Sequence, residues 1–154
     1  MTRVMTALTL LLIATPALAV EKGDTITGTV ERVKDGDTFV VDGVTVRLWG
    51  SDTPELEQEP REHGRVATET LAALTLGKTV SCEVKGFSFR RPVGHCEIGD
   101  LDVSAEMIRS GYAWLSWVYA KDTYLDEEEE AVCARRGIWA AGILPPWHWR
   151  ACGR

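Results

Sequence analysis

The period of apolar positions changes several times along the chain, and each change marks an element. Residues 25–33 set Ile26, Val30 and Val33 among threonines, a β-branched run that reads as a strand and closes in a turn at Asp35 and Gly36. Residues 38–41 and 44–48 are two further β-rich runs on either side of Asp42-Gly43. Both turn residues tolerate the positive φ of a type I′ turn, so this dipeptide predicts a tight hairpin. Counting back from it pairs Val41 with Val44 and Thr38 with Arg47, which brings Asp37 close to Arg47 at the open end. A regular ladder would put those two on opposite faces, so Asp37 is expected just outside regular pairing.

After Pro54 the period lengthens. Residues 64–76 carry Ala67, Leu71 and Leu74 at helical spacing and stop at Gly77, which suits a helix C-terminus. Residues 80–86 and 92–98 then pair as an antiparallel hairpin around a loop at 87–91. A short helix over 103–110 stops at Gly111. Residues 122–136 predict a third helix, acidic from Asp126 to Glu130 and basic at Arg135 and Arg136, as the macrodipole favours. Its acidic run reads as a solvated face. Pro145 and Pro146 break the pattern, and Trp147, His148 and Trp149 form an aromatic tail expected to pack back on the domain. Five strands, three of them consecutive, with a helix between the third and fourth, predict an α+β fold: a five-stranded Greek-key β-barrel of the oligonucleotide-binding (OB) type with about three α-helices.

The first residues follow a different rule. Arg3, an apolar run over 8–14 and Ala17-Leu18-Ala19 form a secretory signal pattern, with cleavage expected after Ala19 and residues 20–154 left as a single exported domain, periplasmic or secreted. The run is short for a bilayer span. Export permits disulfides, and Cys82, Cys96, Cys133 and Cys152 show no Cys-x-x-Cys pair that would suggest structural zinc. Three connectivities are possible. The hairpin places Cys82 opposite Cys96, which leaves Cys133 to Cys152.

A chain of 154 residues, 45% apolar, has room for one core and excludes a large multidomain enzyme. With 17 Lys plus Arg against 23 Asp plus Glu, the net charge of −6 argues against coating nucleic acid by bulk electrostatics. A polyanion site must be built from a few placed cations.

Asp37, Arg47, Asp52 and Glu55 concentrate acid and cation in a short stretch. Singly, each has an ordinary explanation as a turn, a surface strand residue or an Asx-type loop. Together, Asp35-Gly36-Asp37-Thr38, then Arg47-Leu48-Trp49-Gly50-Ser51-Asp52-Thr53-Pro54-Glu55, then Arg91 after the central hairpin resemble the thermonuclease, or staphylococcal-nuclease-like, family. The resemblance runs over residues 24–149 and includes Gly64-Arg65-Val66-Ala67, Ser110-Gly111-Tyr112-Ala113 and Arg136-Gly137-Ile138-Trp139.

That resemblance implies a calcium-dependent nuclease of low sequence specificity, which the signal pattern makes an exported one. It would act as a monomer on DNA, with RNA a second candidate substrate, prefer single strands and leave 3′-phosphate ends. It also implies the roles: Asp37, Asp52 and the Thr53 carbonyl as calcium ligands, Glu55 to orient or deprotonate water, and Arg47 and Arg91 to grip the phosphate. Hard oxygen ligands suit calcium, and the guanidinium fork suits phosphate. Trp117 and Tyr119 fall where the family places aromatics beside a bound base; an extended segment would put both on one face, and ordinary packing is the other reading. Trp49 and Trp114 are assigned to the core. His63, His95 and His148 lack ligand spacing and read as structural or surface residues.

The hairpin tip departs from the family, which commonly reads Asp-x-Tyr-Gly-Arg where this chain has Phe87-Ser88-Phe89-Arg90-Arg91. Phe89 has no phenolic hydroxyl to donate, and Arg90 replaces a glycine. Two readings of Arg90 stand: it reshapes the loop, or it adds a phosphate contact. The rival function is an OB-fold module that binds nucleic acid without cleaving it because the altered hairpin misplaces Arg91.

Overall fold

The computed structural model describes residues 19–57 and 61–141. In chain order these form β1 (Thr25–Asp35), β2 (Thr38–Val41), β3 (Val44–Leu48), β4 (Ser51–Asp52), α1 (Arg61–Thr75), β5 (Thr79–Ser88), β6 (Arg91–Ile98), β7 (Leu101–Asp102), α2 (Val103–Arg109), β8 (Trp114–Leu115), α3 (Trp117–Ala120), α4 (Leu125–Cys133) and a 3-10 turn over Gly137–Ala141. The main sheet runs β3-β2-β1-β5-β6-β7. It closes on itself where β3 meets β6 in parallel, at Arg47–Val93 and Leu48–Gly94. The result is the predicted five-stranded barrel of the OB type, with β4 and β8 paired beside it.

Inward residues follow the strand period. In β1 the alternation carries Ile26 and Val30 toward the core, then slips by one residue at Glu31 and Arg32 so that Val33 resumes it, where the pairing with β2 also shifts. A bulge absorbs the extra residue and adds twist. Val30, Phe39, Val41, Val46, Leu48 and Val80 fill the barrel, and Leu71 of α1 with Met107 and Ile108 of α2 join the same cluster. Each large side chain fully withdrawn from water stabilises the fold by roughly 1.5–3 kcal/mol.

The β2–β3 hairpin matches its expected register, with Val41 opposite Val44, Thr38 opposite Arg47, and positive φ at Asp42 (43°) and Gly43 (79°). In the β5–β6 hairpin, pairing continues through Phe87–Pro92 and Ser88–Arg91, so the expected five-residue loop contracts to a turn at Phe89 and Arg90. Phe89 takes φ 57°, a left-handed geometry that costs a non-glycine residue roughly 1–2 kcal/mol.

The helices depart more from expectation. The helix predicted over 64–76 starts earlier, at Arg61, and ends before Gly77, whose φ is 74°. Asp102 caps α2, accepting from the N–H groups of Ser104 (2.8 Å) and Ala105 (3.1 Å). The helix predicted over 122–136 is shorter, Leu125–Cys133. Ahead of it, residues 117–120 form a helical turn, so the extended reading of the Trp117 and Tyr119 segment is corrected: two positions apart on a helix, they do not share a face by period two. Lys121 at φ 50° separates α3 from α4. The acidic run is not wholly a solvated face either. Glu128 is buried and accepts from the Leu115 N–H at 2.9 Å, pinning β8 to α4, while Glu127 and Glu130 pair with Arg109.

Trp49 packs against the core, edge-on to His95 and Tyr124, but Trp114 is half-buried opposite Asp52 and stands outside the core cluster. His95 is structural: its Nε2 lies 2.9 Å from Asp102 Oδ2, which also accepts from the Tyr124 hydroxyl at 2.8 Å. Cys82 and Cys96 are joined as expected. Cys133 is also disulfide-bonded; Cys152, the signal pattern over 1–18 and the Trp147-His148-Trp149 tail lie outside the described residues. Among the described residues no helix is long and apolar enough to cross a membrane.

The cross-link's position sets an expected result. Five ladder pairs separate Cys82–Cys96 from the hairpin turn, so its loss acts on the whole barrel more than on Arg91. A loop of this length is worth about 3 kcal/mol in the chain-entropy model. Replacing both cysteines by alanine is expected to lower Tm by roughly 10 °C in a thermal melt. An unchanged Tm contradicts this.

Candidate active site

The β1–β2 turn and the β3–β4 segment carry most of the expected site. Gly36 and Asp37 fall between β1 and β2, so Asp37 stands one residue before regular pairing, as the register argument requires. Its carbonyl accepts from the Leu48 N–H at 2.8 Å and its own N–H donates to Asp35 Oδ1 at 3.2 Å, which fixes the turn against β3. The side chain is buried and accepts from the Thr38 hydroxyl at 2.8 Å.

Burial raises the Asp37 carboxyl to about 7. The Arg47 guanidinium and the Thr38 hydrogen bond pull it down without cancelling that effect, and the neighbouring Asp35 adds to the rise.

Arg47 joins the two aspartates. Its Nη2 lies 2.6 Å from Asp37 Oδ2 and 2.6 Å from Asp52 Oδ1. One cationic nitrogen thus sits where the carboxylates converge, at a distance comparable to calcium–oxygen contacts of about 2.3–2.6 Å. The donors are all oxygen, one carboxylate is buried and the other exposed, and the pair accommodates a positive centre: a set that fits a hard divalent cation. Among the described residues no group of three or more His, Cys, Asp or Glu side chains forms a metal cluster, so a cation here would need main-chain and water oxygens as well.

Two glycines bring the rest of the segment into place. A Cβ on Gly36 would lie 2.7 Å from Thr53 Oγ1 and 2.8 Å from the Ala67 side chain, so only glycine lets the Asp37 turn approach buried Thr53 and α1 this closely. A Cβ on Gly64 would collide with the Glu55 carbonyl oxygen. The bare face of α1 therefore seats the backbone of Glu55, whose side chain is exposed.

Arg91, at the start of β6, donates from Nη1 to the Thr38 hydroxyl at 3.3 Å. A chain of contacts thus runs from Arg91 through Thr38 and Asp37 to Arg47 and Asp52. Arg90 is exposed at the turn and shares a groove with Arg91. Trp117 and Tyr119 are exposed on α3, outside this network. Thr38 is the residue whose part the sequence left unassigned; its place in Asp35-Gly36-Asp37-Thr38, opposite Arg47, was the available signal. The supporting roles of Gly36, Gly64 and Asp35 depend on packing and carried none.

The family model described as staphylococcal nuclease homologue matches residues 45–141. The chain belongs to the staphylococcal nuclease family. Among relatives of this family member, a rice (Oryza sativa subsp. japonica) protein named Probable staphylococcal-like nuclease is 35% identical over 68% of this chain and 28% of its own length. The chain therefore spans only about a quarter of that protein. An uncharacterized endonuclease of Haemophilus influenzae is 29% identical over 95% of this chain and 83% of its own, and the protein ParB of Escherichia coli 30% over 97% and 90%.

Proposed function

We propose that residues 20–154 act as an exported, calcium-dependent nuclease, periplasmic or secreted, that hydrolyses DNA, with RNA a second candidate substrate, prefers single strands, has low sequence specificity and leaves 3′-phosphate ends. The observation that carries this reading is the bridging of Asp37 and Asp52 by one Arg47 nitrogen, which supports a cation between the two carboxylates and a guanidinium within reach of a phosphate beside it. Asp37, Asp52 and the Thr53 carbonyl are the ligands assigned to calcium, which when bound supplies positive charge against the phosphoryl oxygens. Glu55 accepts the proton of the attacking water, the oxygen attacks phosphorus, and the bond to the 5′ oxygen breaks with its electron pair leaving on that oxygen, which takes a proton from solvent water to become the 5′ hydroxyl. Arg47 and Arg91 hold the phosphoryl oxygens as their charge grows. Trp117, Tyr119 and Arg90 are assigned to substrate. The contact of Arg91 with Thr38 favours this reading over a non-cleaving module, because the altered tip still delivers Arg91 to the network.

Incubating the purified chain with labelled single-stranded DNA, with calcium or with chelator, tests this. Calcium-dependent fragments ending in 3′-phosphate are expected; stoichiometric binding with no product would favour the binding module.

Calcium affinity should depend on pH. With Asp37 raised to about 7, binding displaces a proton below that value. The apparent association constant is expected to rise about tenfold per pH unit up to about 7 and then level off. Titration calorimetry at several pH values checks this, and a flat profile from pH 5 to 8 contradicts it. The same shift works the other way on the metal-free fold: its contribution to stability is complete below the unfolded carboxyl value of about 4 and is lost as pH rises through about 7.

Gly64→Ala tests the seat of Glu55. Alanine is the better helix former by about 1 kcal/mol, yet its Cβ would collide with backbone that cannot swing aside. The expected result is a kcat about a hundredfold lower, the order that a misplacement of one ångström can cost. Unchanged kcat in a folded variant contradicts it.

A further inference from the structure

β3 and β6 pair only at Arg47–Val93 and Leu48–Gly94. Before that seam they diverge, and a cleft of about 590 Å³ opens between Val44 and Thr45 on one side and the β5–β6 tip on the other. Among the described residues its lining includes three cations, Lys34, Arg90 and Arg91, and no carboxylate, in a chain whose net charge is −6. Lys34 Nζ donates to Thr45 Oγ1 at 3.0 Å. Neither Lys34 nor Arg90 has a carboxylate partner among the described residues.

The charge selects an anion. Pro92 in the lining has no N–H to pair with an incoming strand, which disfavours docking of a polypeptide edge. Arg91 belongs both to this lining and to the contact chain of the active site, so a ligand in the cleft would be continuous with one at the reacting centre. The Phe89 ring, fully exposed at the lip, offers a face to a base.

We propose that this cleft is a second phosphate subsite, in which the backbone of a single nucleic-acid strand leaving the reacting centre past Arg91 runs between Lys34 and Arg90. Those two side chains neutralise the phosphate next to the scissile one. The subsite rests on the nuclease reading and narrows its substrate to strands with at least two phosphodiesters.

The test measures binding by the calcium-loaded Glu55→Gln chain, which should not consume its ligand. The probes are an oligothymidylate of about twelve residues and the thymidine dinucleotide with one phosphodiester. Lys34→Ala with Arg90→Ala is expected to weaken the oligonucleotide several-fold and reduce the slope of log K against log salt by about 0.7, the release expected for one phosphate of a single strand. The dinucleotide should bind as before. A control pair, Lys78→Ala with Arg135→Ala, removes the same charge from exposed positions outside the cleft and should leave the slope unchanged.

An unchanged slope in the Lys34 and Arg90 variant, while the parent binds, overturns the subsite alone. An equal loss in the control pair overturns it in favour of bulk charge. No binding of either probe by the parent removes the nuclease reading and the subsite with it.

Discussion

Glu55→Gln is expected to keep calcium and oligonucleotide affinity close to those of the parent chain while kcat falls by about two to four orders of magnitude, the range supplied by a positioned general base. Asp37, Asp52 and Arg47 are tied together through one nitrogen, and Arg91 joins them through Thr38. Glu55 is exposed, its backbone seated on Gly64, and it has no assigned part in holding cation or phosphate. Glutamine preserves size and shape and removes the negative charge, and with it the capacity to take a proton. Calorimetry for calcium and single-turnover cleavage separate the two effects. A folded variant with near-normal kcat would remove Glu55 from the reaction, and one with lost calcium affinity would make it a ligand.

Arg47→Ala should also be damaging, by a different route. Its guanidinium has two partners in the structure and a third, the phosphate, in the proposed reaction. Loss of one charge-stabilising donor costs about 10²–10³ in kcat. Alanine also leaves Asp37 buried without its counter-cation, so the carboxyl should move up from about 7 and the ionised form should become costly. Breaking a buried ion pair costs roughly 3–5 kcal/mol, an upper bound here because protonation offers an escape. The sign follows: at pH 5.5 Asp37 is already protonated and the variant should melt near the parent, whereas at pH 8.5 it should be clearly less stable, with calcium restoring much of the loss. Arg47→Lys should recover stability better than rate, since an ammonium supplies charge without the fork. Urea melts at the two pH values, with and without calcium, check this. Equal destabilisation at both contradicts it.

Much of the barrel was legible because local signals agreed with tertiary pairing. Asp42-Gly43 set the turn, the turn set the register, and the register placed Asp37 beside Arg47 before any contact was known. The Cys82–Cys96 bridge followed from a hairpin whose two runs could be counted against each other. What escaped depended on space rather than pattern. Lys121 breaks the chain between α3 and α4 at positive φ without being glycine, so nothing in the sequence marked the break. Glu128 sits amid four other acidic residues and only tertiary structure turns it inward to the Leu115 N–H. Gly36 and Gly64 looked like turn and helix-start residues, although their use is the close approach of neighbouring backbone and side chains. The chemical roles came from the family motif; the contacts supply a physical reason for their grouping, with Thr38 as the added link.

The most direct test of the account measures cleavage of single-stranded DNA at saturating calcium by the oxidised parent chain, Glu55→Gln and Arg47→Ala, each confirmed as folded. Rapid calcium-dependent cleavage by the parent and rates at least a hundredfold lower in both variants are expected. Cleavage by either variant at the parent's rate, or none by a parent that binds calcium and DNA, would contradict it.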